Sequence, residues 1–264
     1  MHSSRTLDRA PRTSLDRVRP LFVGGVALAG GILIWWAIAV FSGVPAYVLP
    51  TPAATLGRAV ELFRTGAIQI HIAQTIAEVL QGAVIGIVIG IALSMTFHHV
   101  GQIRRALMPL IVVTQVTPKI SIAPLIILWV GLGIGSKITL VALVVIYPVL
   151  INMLARLESI PSTIRDITSI TGMTPLSRAL KIEFPFSVPA LAAGMKLGLL
   201  QGVTAAVIGE FIGARAGLGY LEKQGQDNDD IRLVLVTLGL LALLGVALYL
   251  LVGSLERRAT KRFE

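Results

Sequence analysis

The sequence contains no cysteine, which excludes disulfides, thiolate metal sites and a cysteine nucleophile. Charge is scarce as well: 14% of the residues are charged against 55% hydrophobic, with a mean hydropathy of +0.82. That balance lies outside ordinary globular usage and inside the polytopic membrane class. The four histidines, His2, His71, His98 and His99, show no metalloprotease spacing, and His98 and His99 sit at the end of an apolar run, where an interfacial role fits. No Gly-x-x-x-x-Gly-Lys-Ser/Thr phosphate loop is present, and no Ser-His or paired-Asp constellation falls inside an apolar run, so the chain reads as a non-enzyme. The net charge of +9 is spread over the segments between apolar runs. It signals membrane topology rather than nucleic-acid binding.

What is there is a series of apolar runs, and six spans of about 20 residues plus loops use up the whole chain. The fold class is therefore all-α, a polytopic membrane protein of about six transmembrane helices. Residues 1–20 carry Arg5, Arg9, Arg12, Arg17 and Arg19 and read as a basic cytoplasmic tail. Residues 21–253 form one transmembrane domain, and residues 254–264 a second basic cytoplasmic tail. The first span covers 21–41 and is too long for the apolar core of a cleaved signal. Pro52 opens an amphipathic helix to Arg64 that lies on the outer surface. Span two, 72–97, carries Gly82, Gly86, Gly90 and Ser94 at four-residue intervals. Span five, 188–212, repeats the device with Ala190, Gly194, Gly198, Gly202 and Ala206. Both stripes predict close helix packing.

Span three is interrupted by Pro109, Gln115, Thr117, Pro118, Lys119, Ser121 and Pro124. Broken polar backbone at depth is tolerated where it faces protein or a water-filled cavity, so Gln115, Pro118 and Lys119 are candidates for a pathway wall. Residues 131–137, GLGIGSK, read as a short external turn. In span four, 138–157, Asn152 is polar enough to want an interhelical partner, and Gln201 joins the pathway candidates from span five. Lys196 is placed to snorkel toward the cytoplasmic interface. Glu210, at the end of span five, is predicted to serve the external gate or span packing, the alternative being a shallow carboxylate bonded to the glycine-rich turn that follows. Span six covers 231–252. Counted by loop, the cytoplasmic side holds 15 Lys and Arg and the external side 6, with Lys119 and Lys196 inside spans. The positive-inside rule puts both termini in the cytoplasm.

Between spans four and five lies a polar, helix-forming loop, about residues 158–189, too long to be a mere connector. Ile160, Ile164, Ile167 and Ile170 recur at helical spacing, with Arg165 and Asp166 on the wet side. Gly172 ends this helix in the left-handed conformation. Thr174 and Pro175 read as an N-cap and first residue of a second short helix with the stripe Leu176, Leu180 and Phe184, closed by Pro185 and Pro189.

This loop resembles the E-A-A-x3-G-x9-I-x-L-P segment of binding-protein-dependent ATP-binding-cassette importer permeases, with Asp166, Gly172, Ile182, Phe184 and Pro185 at its spaced positions. Asp stands for Glu, Ile167 and Thr168 for the two alanines, and Phe184 for Leu. Two further stretches resemble the nitrate, sulfonate and taurine branch: YVLPTPAATL from Tyr47, and EFIGARAGLGY from Glu210 through Ile212, Gly213, Gly217, Leu218 and Gly219 to Tyr220. The resemblance implies a type I importer permease fold like that of the methionine permease. It implies a loop (Arg165, Asp166, Ile167, Ile170, Gly172, Leu176, Leu180, Ile182, Phe184, Pro185) that docks on a separate ATPase subunit.

It further implies a permease homodimer in the inner membrane, two ATPase copies that bind ATP and Mg in place of any cofactor in this chain, and an extracytoplasmic binding protein. Residues 117–137 look like the thiamine-precursor pyrimidine and riboflavin members, while a pathway cation equally suits a nitrate-, sulfonate- or taurine-like anion. A secondary transporter or channel is the competing class, and it should show paired intramembrane ionisable residues or an inverted repeat with broken helices in both halves.

Overall fold

A computed structural model describes the backbone of residues 14–260 and the side chains of 23–164, 167, 168 and 170–259. Arg5, Arg9 and Arg12 of the first basic tail, Lys261 and Arg262 of the second, and the side chains of Arg165 and Asp166 lie outside the described residues. Among those described, every regular element is helical. Five helices are long and apolar enough to cross a membrane, or six when one bent pair counts as a single span.

The chain falls into two compact units that meet in sequence at Gly57 and Arg58. The first contains α1 (Ser14–Phe41), whose stretch Val23–Phe41 is apolar on all sides as a lipid-facing span must be and has no buried residue. After it, the Trp35 indole donates to the carbonyl of Pro50 at 3.0 Å. The helix α2 (Pro52–Arg64) runs across the sequence boundary.

The second unit is built on α6 (Ile134–Glu158), flanked by α3 (Gln69–His99) and α9 (Phe184–Gly213). Its buried Val141, Val145 and Val149 recur every four residues and form one ridge. The glycine stripes are the grooves that receive it. A methyl group added at Gly82 would lie 2.6 Å from Val141, one at Gly86 2.8 Å from Val145, and one at Gly90 2.8 Å from Val149. On the other flank Gly194 leaves no room against Pro148 and Val149, Gly198 faces Val145, and Gly202 faces Val141 and Val145. A stiff β-branched knob set between two glycine notches lets three backbones approach with little side-chain entropy to lose.

The same contacts fix direction: numbers rise together along α3 and α6, so these run parallel, while α9 runs antiparallel to α6. Parallel neighbours require the chain between them to return, and α4 (Gly101–Val116) and α5 (Lys119–Val130) do so with a bend of 108°. Of the three prolines in this stretch only Pro118 breaks the helix; Pro109 and Pro124 lie inside helical runs. The residue before a proline is driven out of the helical region, and Thr117 is extended, with ψ of 128°.

The loop-side expectations need two corrections. After α7 (Ser162–Ile170) and α8 (Pro175–Arg178), Pro185 and Pro189 do not close a helix. The chain continues through a wide π turn, Ala179–Glu183, directly into α9. Pro185 lacks the N–H that would bond Lys181, and Phe184 N–H instead reaches Ala179, so the turn opens by one residue and the helix goes on. At the other end, residues 131–137 are not all turn: α6 begins at Ile134. The unit is completed by α10 (Leu218–Asp227) and α11 (Ile231–Thr260), whose start is capped by Asp230 accepting from Leu233 N–H at 3.2 Å.

Candidate functional site

Two groups of residues stand apart at opposite ends of α3, α6 and α9. At the loop end, α7 and α8 are joined by Gly172 in the left-handed region, φ +64°, with open space where a side chain would go. Thr174 is the N-cap of α8, accepting from Ser177 N–H at 3.2 Å, and Pro175 opens the helix. The isoleucine stripe divides. Ile160 and Ile164 turn toward the core, whereas Ile167 is 55% and Ile170 84% exposed. Leu176 and Leu180 are exposed to a similar degree. Ile182 is half-buried, Phe184 packs on the core, and Pro185 lies in the first turn of α9. Four large aliphatic side chains thus project from a short two-helix segment rich in polar residues.

Where α8 meets α9, Glu183 is buried. Its Oε1 accepts from Arg178 Nε at 2.9 Å and lies 3.7 Å from His98 Nε2. Its Oε2 is 2.9 Å from His99 Nε2 but receives no directed hydrogen bond, so that contact is one of proximity. The His99 Nδ1 also meets Arg178 Nη2 at 3.4 Å.

The opposite end holds a second buried group. Glu210, 1% exposed, accepts from Thr75 Oγ1 at 2.6 Å and from Gly219 N–H at 2.5 Å. Thr75 in turn accepts from Leu218 N–H at 2.8 Å, and His71 Nδ1 accepts from Gly217 N–H at 3.1 Å while its ring stacks on Tyr220. The glycine-rich turn after α9 is thereby read by α3 through its backbone donors. Gly217 has φ +126°, and a side chain there would collide with the Glu210 carboxyl. Glu210 is thus bonded to the glycine-rich turn, but buried between spans rather than at an open surface.

Lys137, also 1% exposed, donates to the carbonyl of Gly213 at 2.5 Å, a cation on the C-terminal end of α9 where the helix dipole favours it. Glu78 accepts from Gln74 Nε2 at 2.8 Å and interacts with both Lys137 and Glu210. A cavity of about 610 Å³ opens beside them, lined by Gln74, Glu78, Leu132, Lys137, Ala214 and Arg215 among others. Glu78, Lys137 and Glu210 thus meet beside this cavity, where α3, α6 and α9 come together.

The remaining pathway candidates do not gather around this cavity. Gln115 and Lys119 are half-buried and Pro118 exposed at the α4–α5 break, and Gln201 is exposed on α9. Asn152 has no interhelical partner in its hydrogen bond; its Nδ2 donates within α6 to the carbonyl of Pro148, at 2.8 Å. Lys196 pairs with Glu256 at 2.5 Å. No group of three or more metal-ligating side chains is found among the described residues.

Sequence reading missed Thr75, Glu78, Lys137, Arg178 and Glu183. Lys137 was counted with an external turn, and Glu78 passed unweighed although it is an isolated acid in the long apolar run of α3, the signal that marks an intramembrane site. The structure thus brings buried ionisable residues of three helices together, so their presence does not by itself separate the two classes.

Comparison with known proteins does. Residues 82–261 match the family described as the binding-protein-dependent transport system inner membrane component. The riboflavin transport system permease protein of Chloroflexus aurantiacus is 35% identical, over 86% of this chain and 84% of that one. The formylaminopyrimidine transport permease protein of Halalkalibacterium halodurans is 29% identical over 85% and 89%. The taurine transport system permease protein of Escherichia coli is 26% identical over 98% and 94%. An inward-facing structure of the MetNI methionine ABC transporter shares the fold, with a TM-score of 0.64 and 20% identity over 72% of this chain and 94% of that one. With the all-helical membrane fold, these matches establish that the chain belongs to the binding-protein-dependent transport system inner membrane components, the permeases of ATP-binding-cassette importers.

Proposed function

We propose that residues 166–185 couple ATP hydrolysis on a separate subunit to transport through this chain. The observation that carries the reading is the exposure of Ile167, Ile170, Leu176 and Leu180 on two short helices hinged at Gly172 and the π turn that follows them. Apolar side chains clustered on an otherwise polar surface are what a partner's groove takes up. Two copies of the chain would line the pathway, with two ATPase subunits on the loop side and a binding protein on the other. The termini then lie in the cytoplasm, as the distribution of Lys and Arg supports.

The solute is of the kind carried by the riboflavin and formylaminopyrimidine permeases, a small nitrogen heterocycle, because these two relatives are more similar to this chain than the taurine permease is. Gln115, Lys119 and Gln201 are the polar groups offered to it along the pathway. Two measurements test the reading. Co-purification of the ATPase subunit should be lost when Leu176 and Ile170 are both replaced by serine, and uptake of labelled riboflavin or formylaminopyrimidine by cells expressing the complete transporter should exceed uptake of taurine. Retained association in the serine variant defeats the coupling claim, and preferred taurine uptake defeats the substrate claim.

A further inference from the structure

We propose that Glu183 is the positioning residue that sets the angle of the coupling helix on the membrane span it moves. The inference rests on the coupling role of residues 166–185 given above. It is drawn from four side chains on three consecutive or neighbouring elements. Arg178 belongs to the last turn of α8, Glu183 to the π turn, and His98 and His99 to the last turn of α3. The α8 helix has only four residues and buries none of them, so its own packing does not hold it in place. What crosses from α8 to the transmembrane body is the Arg178–Glu183 pair at 2.9 Å with the Arg178–His99 contact at 3.4 Å beside it, and what anchors Glu183 to α3 is the His99 contact at 2.9 Å with His98 at 3.7 Å.

The site of this anchor is mechanically apt. A π turn is a helical joint with an extra residue per turn and a weaker hydrogen-bond ladder. Torque delivered to α8 would be absorbed there unless something bridges the joint. The Arg178–Glu183 bond spans the π turn from one side to the other, and the histidines bind its far end to α3. On the α9 side Arg156 of α6 completes the frame, donating to the carbonyl of Phe186 at 3.3 Å and stacking on its ring. Glu183 thus converts a flexible joint into a lever fixed to two spans.

The first test uses the full-length chain in nanodiscs without any partner. Amide hydrogen exchange over residues 177–182 is compared in wild type, Glu183→Gln and Arg178→Gln. Exchange there should speed up ~10-fold or more in both variants, with α3 and α6 unchanged, because local opening is released without global unfolding. The double variant should be no faster than either single one, as the two residues act as one bridge. Arg178 is partly exposed, so Arg178→Gln reports on the bridge even where Glu183→Gln fails to fold.

The second test uses the complete transporter. Both variants should retain the ATPase subunit yet move less solute per ATP hydrolysed. Unchanged exchange in both variants overturns the proposal, and so does a wild-type ratio of transport to hydrolysis in both. Unchanged exchange in both bridge variants alongside loss of the ATPase subunit in the Ile170 and Leu176 serine variant would overturn the lever and leave the docking reading standing. The two ideas therefore fail separately.

Discussion

The two buried charge groups, Glu78–Lys137–Glu210 at one end and Glu183 with Arg178, His98 and His99 at the other, use similar chemistry to opposite purposes. The first joins three long spans and is bonded by a backbone donor of a glycine-rich turn, so it sits inside one packed body. The second sits at a joint between a four-residue helix and a span, and one of its members, Arg178, remains about one-third exposed. A buried acid braced by a rigid core stabilises the fold, whereas one braced across a joint stabilises an angle. The same contrast holds for the glycines. Gly217 is left-handed and walled in by Glu210; Gly172 is left-handed and surrounded by open space.

The largest effect is expected from Lys137→Met. It removes the buried amine that bonds the Gly213 carbonyl and interacts with Glu78 and Glu210, which costs about 3–5 kcal/mol for a buried group stripped of its partner. Thermal unfolding in nanodiscs and the amount of protein in the membrane should both fall; an unchanged unfolding midpoint would show that this group is not structural. Gly217→Ala comes next, at about 1–3 kcal/mol, since the added methyl forces the Glu210 carboxyl or the turn to move. It should lower the unfolding midpoint together with Gly219→Ala.

Gly172→Val tests the other side of the comparison. With no neighbour to strike, it costs only ~1 kcal/mol of backbone strain, and it should leave membrane insertion normal while abolishing ATPase association or coupling. Poor insertion with intact coupling would reverse the assignment of the two ends. Smaller still on stability is Leu176→Ser, within about 0.5 kcal/mol because the side chain is exposed; its effect should be read in ATPase co-purification alone.

Glu222 offers a buried acid outside both groups. Its Oε2 lacks a hydrogen-bond partner, and burial pushes its carboxyl above the usual range. With the folded value raised, the native state binds the proton more readily. Its contribution is fully present below the unfolded value and is lost as pH rises through the folded one. Glu222→Gln should therefore match wild type at acid pH and be slightly more stable near neutrality, seen as a flatter dependence of the unfolding midpoint on pH. A parallel pH dependence in both proteins would rule this out.

Much of the fold was legible because its signals are local. The glycine stripes on α3 and α9, the left-handed Gly172, the Thr174–Pro175 helix start and the break at Pro118 each depend on a few consecutive residues and their backbone preferences. The site was legible only in part. Glu210 was singled out as an acid at a span end, but its partners Thr75, 135 residues away, and Lys137 are brought to it by packing. Glu183 gave no signal beside the Ile182, Phe184 and Pro185 that flank it.

The sequence by itself determined that this chain is a bundle of membrane helices with an amphipathic hinged segment between two of them, since hydropathy, helical period, glycine spacing and proline placement act over one or two turns. Only the tertiary structure decided that α3 and α9 share one valine ridge on α6, that Pro185 continues a helix instead of ending it, and which charges meet. Those outcomes follow from the register of one helix against another. A ridge seated in two grooves fixes that register through contacts between residues far apart in the chain, and only then does the fate of each buried charge follow.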